Sequence, residues 1–137
     1  MDKDETYIID LCDDILQVTA ERNHPFPFLL GDANAKGVRA PMRVDAWYPT
    51  LNLVIEYLEV QHFKPVKFMD ERLTLSGTRG EQRQIYDNRR RLVLKAYDIN
   101  LIEIDYSMFD IDAHNRLLRT EADRAIIAKV LRIGHAK

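Results

Sequence analysis

The chain has one cysteine, Cys12, in 137 residues. A single thiol excludes an internal disulfide and a cysteine zinc cluster, and the apolar residues around it suit a small packed side chain rather than a nucleophile. A reducing setting, the cytoplasm, is the expectation. No apolar segment approaches the roughly twenty residues that a membrane span needs. The start Met1-Asp2-Lys3-Asp4-Glu5 is acidic, the opposite of a signal-peptide leader, so no membrane partner is expected. There is no repeat, no low-complexity tract and no Gly/Ser linker, which makes residues 1–137 a single domain. An excess of one charge is also missing. The net of −2 excludes a globally basic binder of polyanions.

What is present is the composition of an ordinary globule, 46% hydrophobic and 31% charged, long enough to bury a core. The charge is unevenly spread. Residues 1–21 hold seven acids against one Lys, whereas residues 79–95 hold Arg79, Arg83, Arg89, Arg90, Arg91 and Lys95 against Glu81 and Asp87. A local basic stripe is what phosphate binding requires, so these arginines are candidates for contacts to nucleic acid. The ordinary alternative is a solvated helix face with ion pairs such as Asp87 with Arg91.

Periodicity gives an order of α, β, α, β and α. In residues 5–21 Ile8, Ile9, Cys12, Ile15, Leu16 and Thr19 fall at helical spacing, an amphipathic helix ending before Asn23-His24-Pro25. Residues 26–30 suit a short extended piece. Strands are expected at 42–48 and 52–60, an antiparallel hairpin turned by Tyr48-Pro49-Thr50-Leu51-Asn52. Residues 64–80 are polar and broken by Pro65, Gly77 and Gly80, a functional loop or flap. A second helix spans about 80–97, with Gln84, Asp87, Arg91 and Lys95 on a polar face and Ile85, Leu92 and Ala96 on a buried one. A strand over 99–106 returns to the same sheet, and a last helix starts near Thr120, whose hydroxyl is placed to cap it with Asp123 three residues on, and stops at Gly134.

The hairpin contains the chemistry. Leu53-Val54-Ile55-Glu56-Tyr57-Leu58 reads as a strand buried on both faces, where an unpaired carboxylate would sooner take up a proton than stay charged. Asp45 lies on the neighbouring strand, and Gln61 and His62 follow. Acids from adjacent strands, converging with a Gln and a His, suit a hard divalent cation and its activated water. Each residue also has a plain structural role available: Asp45 pairing with Arg39 or Arg43, Glu56 in a buried ion pair, His62 packed beside Phe63, Gln61 at a strand edge.

Val44-Asp45, then Leu53 through Glu56 and Gln61-His62, then Tyr86-Asp87 with Arg90 and the strand Leu101–Ile104 together resemble the PD-(D/E)XK nuclease superfamily, in the branch similar to very-short-patch-repair and phage-type homing endonucleases. The resemblance covers roughly residues 43–106. It implies an α/β fold, a restriction-endonuclease-like mixed sheet flanked by helices. It implies a metal-dependent endonuclease acting on DNA, with Asp45 and Glu56 holding Mg²⁺ or Mn²⁺ in a one- or two-metal mechanism. His62 or Gln61 would activate water, and Lys95 or Arg91 would face the phosphoryl oxygens. A homodimer is expected of small nucleases that cut both strands. Two positions depart from the pattern: Leu58 stands two residues after Glu56, where the superfamily has its lysine, and Glu59 stands where relatives carry glycine. Glu59-Val60-Gln61 is therefore a second register, in which Glu59 is the ligand and Gln61 takes the lysine's place. Strand alternation sends positions 56 and 59 to opposite faces, and Glu56 is preferred because it lies within the apolar run. The alternative to an enzyme is a catalytically silent module of the same fold that binds nucleic acid or a protein partner.

Overall fold

The computed structural model describes residues 3–59, 73–74 and 77–135. Helix α1 (Asp4–Leu16) leads into strands β1 (Glu21–Leu30), β2 (Pro41–Tyr48) and β3 (Leu53–Leu58). A two-residue ladder, β4 (Leu73–Thr74) with β5 (Gly77–Thr78), precedes helix α2 (Arg79–Ala96), strand β6 (Asn100–Asp105) and helix α3 (Ala122–His135). The main sheet has the order β1-β2-β3-β6, antiparallel except for the parallel pair β3 and β6 that α2 connects. The chain is thus a mixed α/β fold, and β2, β3 and β6 lie close to the ranges 42–48, 52–60 and 99–106 that periodicity leads one to expect.

Two apolar layers hold the sheet. On one side Ile8, Ile9 and Cys12 of α1 and Ile127 and Leu131 of α3 pack on Ile55, Tyr57, Ile102 and Ile104. On the other, Leu94 of α2 packs with Val44, Val54, Phe26, Leu29 and Met42. Both faces of β3 are covered, so all six of its residues are buried, as a strand paired on both edges between helices must be. Burial pushes the Cys12 thiol up to about 12, which leaves it protonated and inert.

Several boundaries differ from expectation. α1 ends at Leu16 because Gln17 turns into the left-handed region at φ 60°, and the residues beyond it feed β1. That strand is ten residues long rather than a short piece, and it contains Pro25 and Pro27. It is an edge strand, where a missing N–H need not break a ladder. α2 does not bury Ile85, Leu92 and Ala96: Leu92 is 69% exposed and Ile85 39%, and Ala96 is exposed. Its inward side carries Asp87, Arg90 and Leu94 instead, spaced three and four apart. The helix stops where Asp98 takes φ 58° and Ile99 donates its N–H to the Leu94 carbonyl at 2.9 Å. α3 runs one residue past Gly134. It starts at Ala122, where the Asp123 carboxylate accepts from Thr120 N–H at 3.1 Å; the Thr120 hydroxyl donates to the same carboxylate at 3.2 Å, and Asp123 N–H goes to the Thr120 carbonyl, not to the hydroxyl expected to cap the helix.

Candidate active site

β2 and β3 pair regularly at Tyr48 with Leu53, Trp47 with Val54 and Ala46 with Ile55. The next step of the same register sets Asp45 opposite Glu56, and there side chains replace the backbone acceptors. Asp45 N–H donates to Glu56 Oε2 at 2.5 Å, and Tyr57 N–H donates to Asp45 Oδ2 at 2.8 Å. The other neighbour of β2 is irregular at the same level: Arg22 pairs with Ala46 and His24 with Val44, while Asn23 between them turns to φ 51°. Side-chain alternation breaks here too, since Val44 packs with Leu94 whereas Ala46 packs with Ile8 and Ile55. Local breaks of this kind re-aim side chains within a sheet. Here the break gathers two carboxylates in the middle of an apolar strand pair.

Their surroundings are mostly negative. Glu56 meets Arg90 of α2, whose Nε lies 3.0 Å from Oε1, and the same guanidinium reaches Asp87 Oδ1 at 3.0 Å. Among the described residues Asp45 pairs with no such cation; the charges acting on it are those of Glu56 and of Glu5 of α1, and Glu5 also hydrogen-bonds to it. Burial, then the Glu56 and Glu5 charges, push the Asp45 carboxyl up to about 9, against a smaller opposing pull from the Tyr57 N–H. Glu56 is also raised, chiefly by burial, with Arg90 and the Asp45 N–H opposing. A carboxyl pushed upward in this way holds a proton at neutral pH unless another cation takes its place.

Glu5 is the residue that motif reading misses. Its signal is positional: Glu5, Ile8, Ile9 and Cys12 lie on one helical stripe, so an acid stands on the sheet-facing side of α1. Glu5 is half-buried, whereas Asp4, one residue earlier, is buried, accepting Leu117 N–H at 3.0 Å and pairing with Arg116 and Arg119.

The remaining candidates are dispersed. Gln61 and His62 lie outside the described residues, as do most of the flap 64–80 and the side chain of Arg79. Leu58 is buried at the end of β3 and Glu59 is half-buried just after it. Arg83 is half-buried on α2. Arg89 pairs with Asp32 at 2.8 Å, donates to the Leu30 carbonyl at 3.1 Å and lies over the Tyr86 ring. Arg91 pairs with Glu103, not Asp87, at 2.9 Å. Lys95 lies one turn further along α2, in a shallow groove of about 420 Å³ shared with Arg91, Asp98, Asn100 and Glu103.

As a cation site the pair is partial. Its donors are all carboxylate oxygens, which suit Mg²⁺ or Mn²⁺. Both Glu56 oxygens are already engaged, however, and among the described residues no group of three or more His, Cys, Asp or Glu side chains has the arrangement of a metal centre. Nor is any helix among them long and apolar enough to cross a membrane. Comparison with family models, with curated proteins and with solved structures gives no match.

Proposed function

We propose that the protein is a metal-dependent endonuclease of restriction-endonuclease-like build that hydrolyses phosphodiester bonds in DNA, in the cytoplasm and as a homodimer. The observation that carries this reading is the face-to-face placement of Asp45 and Glu56 in a broken ladder, with Asp45 raised by burial and by two carboxylates and paired with no cation among the described residues. A fold that spends stability on clustered buried acids offers a site whose charge a divalent cation would balance. In this reading Asp45, with the free lone pairs of Glu56, binds Mg²⁺ or Mn²⁺; when bound, such an ion polarises the scissile phosphate and acidifies water. Gln61 or His62 would orient that water, and His62 would take its proton. Arg91 or Lys95 places positive charge beside the phosphoryl oxygens.

A second reading, a silent module of the same fold, draws on two observations: Arg90 already neutralises Glu56, and Leu58 is buried where the superfamily has its lysine. Purified protein incubated with supercoiled plasmid, single-stranded DNA and branched DNA, with Mg²⁺, Mn²⁺ or chelator, separates them. Cleavage that needs metal and is lost in Asp45→Asn is expected. No cleavage of any substrate under either metal overturns the enzyme and leaves the silent module.

A further inference from the structure

The connection between β1 and β2 carries a pattern of its own. From Ala33 to Val44 there are three cations, Lys36, Arg39 and Arg43, and no acid. Exposed loops of such composition are commonly adaptable, but this one is internally built. The Asn34 side-chain oxygen accepts the N–H groups of Lys36 and Val38 at 2.9 and 3.0 Å. Asn34 N–H donates to the Val38 carbonyl, and Gly37 N–H to the Asn34 carbonyl, both at 2.9 Å. Gly37 has φ 78°, a conformation that glycine adopts without strain. The base is closed by Gly31 N–H on the Ala40 carbonyl at 2.9 Å and by Arg39 Nε on the Gly31 carbonyl at 2.8 Å.

α2 then holds this loop in place. Asp32 N–H donates to the Tyr86 hydroxyl at 2.7 Å, and Asp32 pairs with Arg89. Arg89 adjoins Arg90, the partner of Glu56, so one stretch of α2 fixes both the loop and the carboxylate pair. Antiparallel pairing agrees: the loop enters β2 at Pro41, the end of the hairpin where β3 finishes. At the tip Lys36 is exposed and makes no ion pair among the described residues, and Val38 is 58% exposed. A branched apolar side chain held in water between two cations, on a turn ordered before any partner arrives, suits insertion along a nucleic-acid groove. There the cations meet phosphates and the apolar group meets sugar or base edges. Prior ordering lowers the entropy cost of such a contact.

We infer that the Asp32–Ala40 loop is a preformed finger that grips the nucleic-acid backbone, with Lys36 neutralising a phosphate and Val38 lying against the groove wall. This rests on the nucleic-acid part of the proposed function and not on cleavage. The test is fluorescence anisotropy of the whole protein with a labelled DNA duplex and a labelled single strand, in chelator, over a series of salt concentrations. Lys36→Gln is expected to reduce the slope of log affinity against log salt by about 0.9 on the duplex, the loss of one phosphate contact. Val38→Ser should weaken duplex binding at every salt concentration and leave the slope unchanged. Lys129→Gln, exposed on α3 across the sheet, should change neither. Melting curves confirm that the variants fold. If wild type binds and Lys36→Gln keeps the full slope, or Lys129→Gln loses as much, the finger is overturned while nucleic-acid binding stands. If wild type binds neither strand form at low salt, the finger and the nucleic-acid reading fall together.

Discussion

Arg90 and Glu56 are matched in charge but not in hydrogen-bond direction. Nε of Arg90 lies 3.0 Å from Glu56 Oε1, yet among the described residues no acceptor is aligned with its N–H. The guanidinium is shared with Asp87, so one buried cation serves two buried carboxylates. Removing it takes from Glu56 the cation that balances its charge.

Arg90→Ala is therefore expected to destabilise the fold by about 3–5 kcal/mol, the usual cost of leaving buried charge unpaired. Glu56→Gln should reduce that cost, with a coupling energy of about 1–3 kcal/mol between the two sites. Urea unfolding of the four proteins of the cycle measures it. Additive costs would show that Arg90 contributes packing alone.

Asp45 is expected to behave in the opposite sense. Its folded carboxyl is raised to about 9, whereas the unfolded chain ionises near its ordinary value of about 4. Below about pH 4 both states hold the proton and nothing is lost. Between there and pH 9 the unfolded chain has released its proton and the folded chain has not, so rising pH favours unfolding, and above 9 the full cost of the buried charge is paid. Glu56, also raised, adds to this trend in its lower part. Asp45→Asn should flatten the decline and raise the melting temperature at pH 8 while leaving it nearly unchanged at pH 4. In the proposed site the same substitution should abolish Mn²⁺ binding and the proton release that accompanies it in wild type. Calorimetric titration in buffers of different ionisation enthalpy reads both. A steep pH dependence that survives in Asp45→Asn would place the proton elsewhere.

How far the sequence carries can be judged at particular residues. β2, β3 and β6 were legible because their apolar runs and the turn at Tyr48–Asn52 agree with one another. β1 was hidden because Asn23, Pro25 and Pro27 erase a strand signal, and only its place at the sheet edge makes them tolerable. The inward side of α2 is not legible, because periodicity places apolar residues against the sheet. The sheet offers Glu56 there, so Arg90 and Asp87 turn inward and Leu92 outward. Asp45 and Glu56 were visible as acids in apolar strands. Glu5 was not, since no motif links a helix start to strands some forty residues on. The charge of Arg89 and Arg91 was equally visible, but not that Asp32 and Glu103 claim it.

The docking of the β1–β2 loop gives the last expectation. A methyl group added at Gly31 would sit 2.9 Å from the Tyr86 hydroxyl, the oxygen that accepts Asp32 N–H. The backbone of Gly31 needs no left-handed conformation, so Gly31→Ala tests this contact rather than strain. The hydroxyl must yield, which costs its hydrogen bond and crowds the ring, together about 1–3 kcal/mol. Tyr86→Phe removes the obstructing oxygen, at a cost of about 1 kcal/mol for the lost acceptor, and leaves the nearest ring carbon at 3.4 Å. Gly31→Ala should then cost less in the Tyr86→Phe background than in wild type. Urea midpoints of the two single variants and the double variant decide this. If the two costs simply add, the loop is not held against α2 by the Tyr86 hydroxyl, and its order comes from the Arg89–Asp32 pair, Asn34 and Arg39 instead.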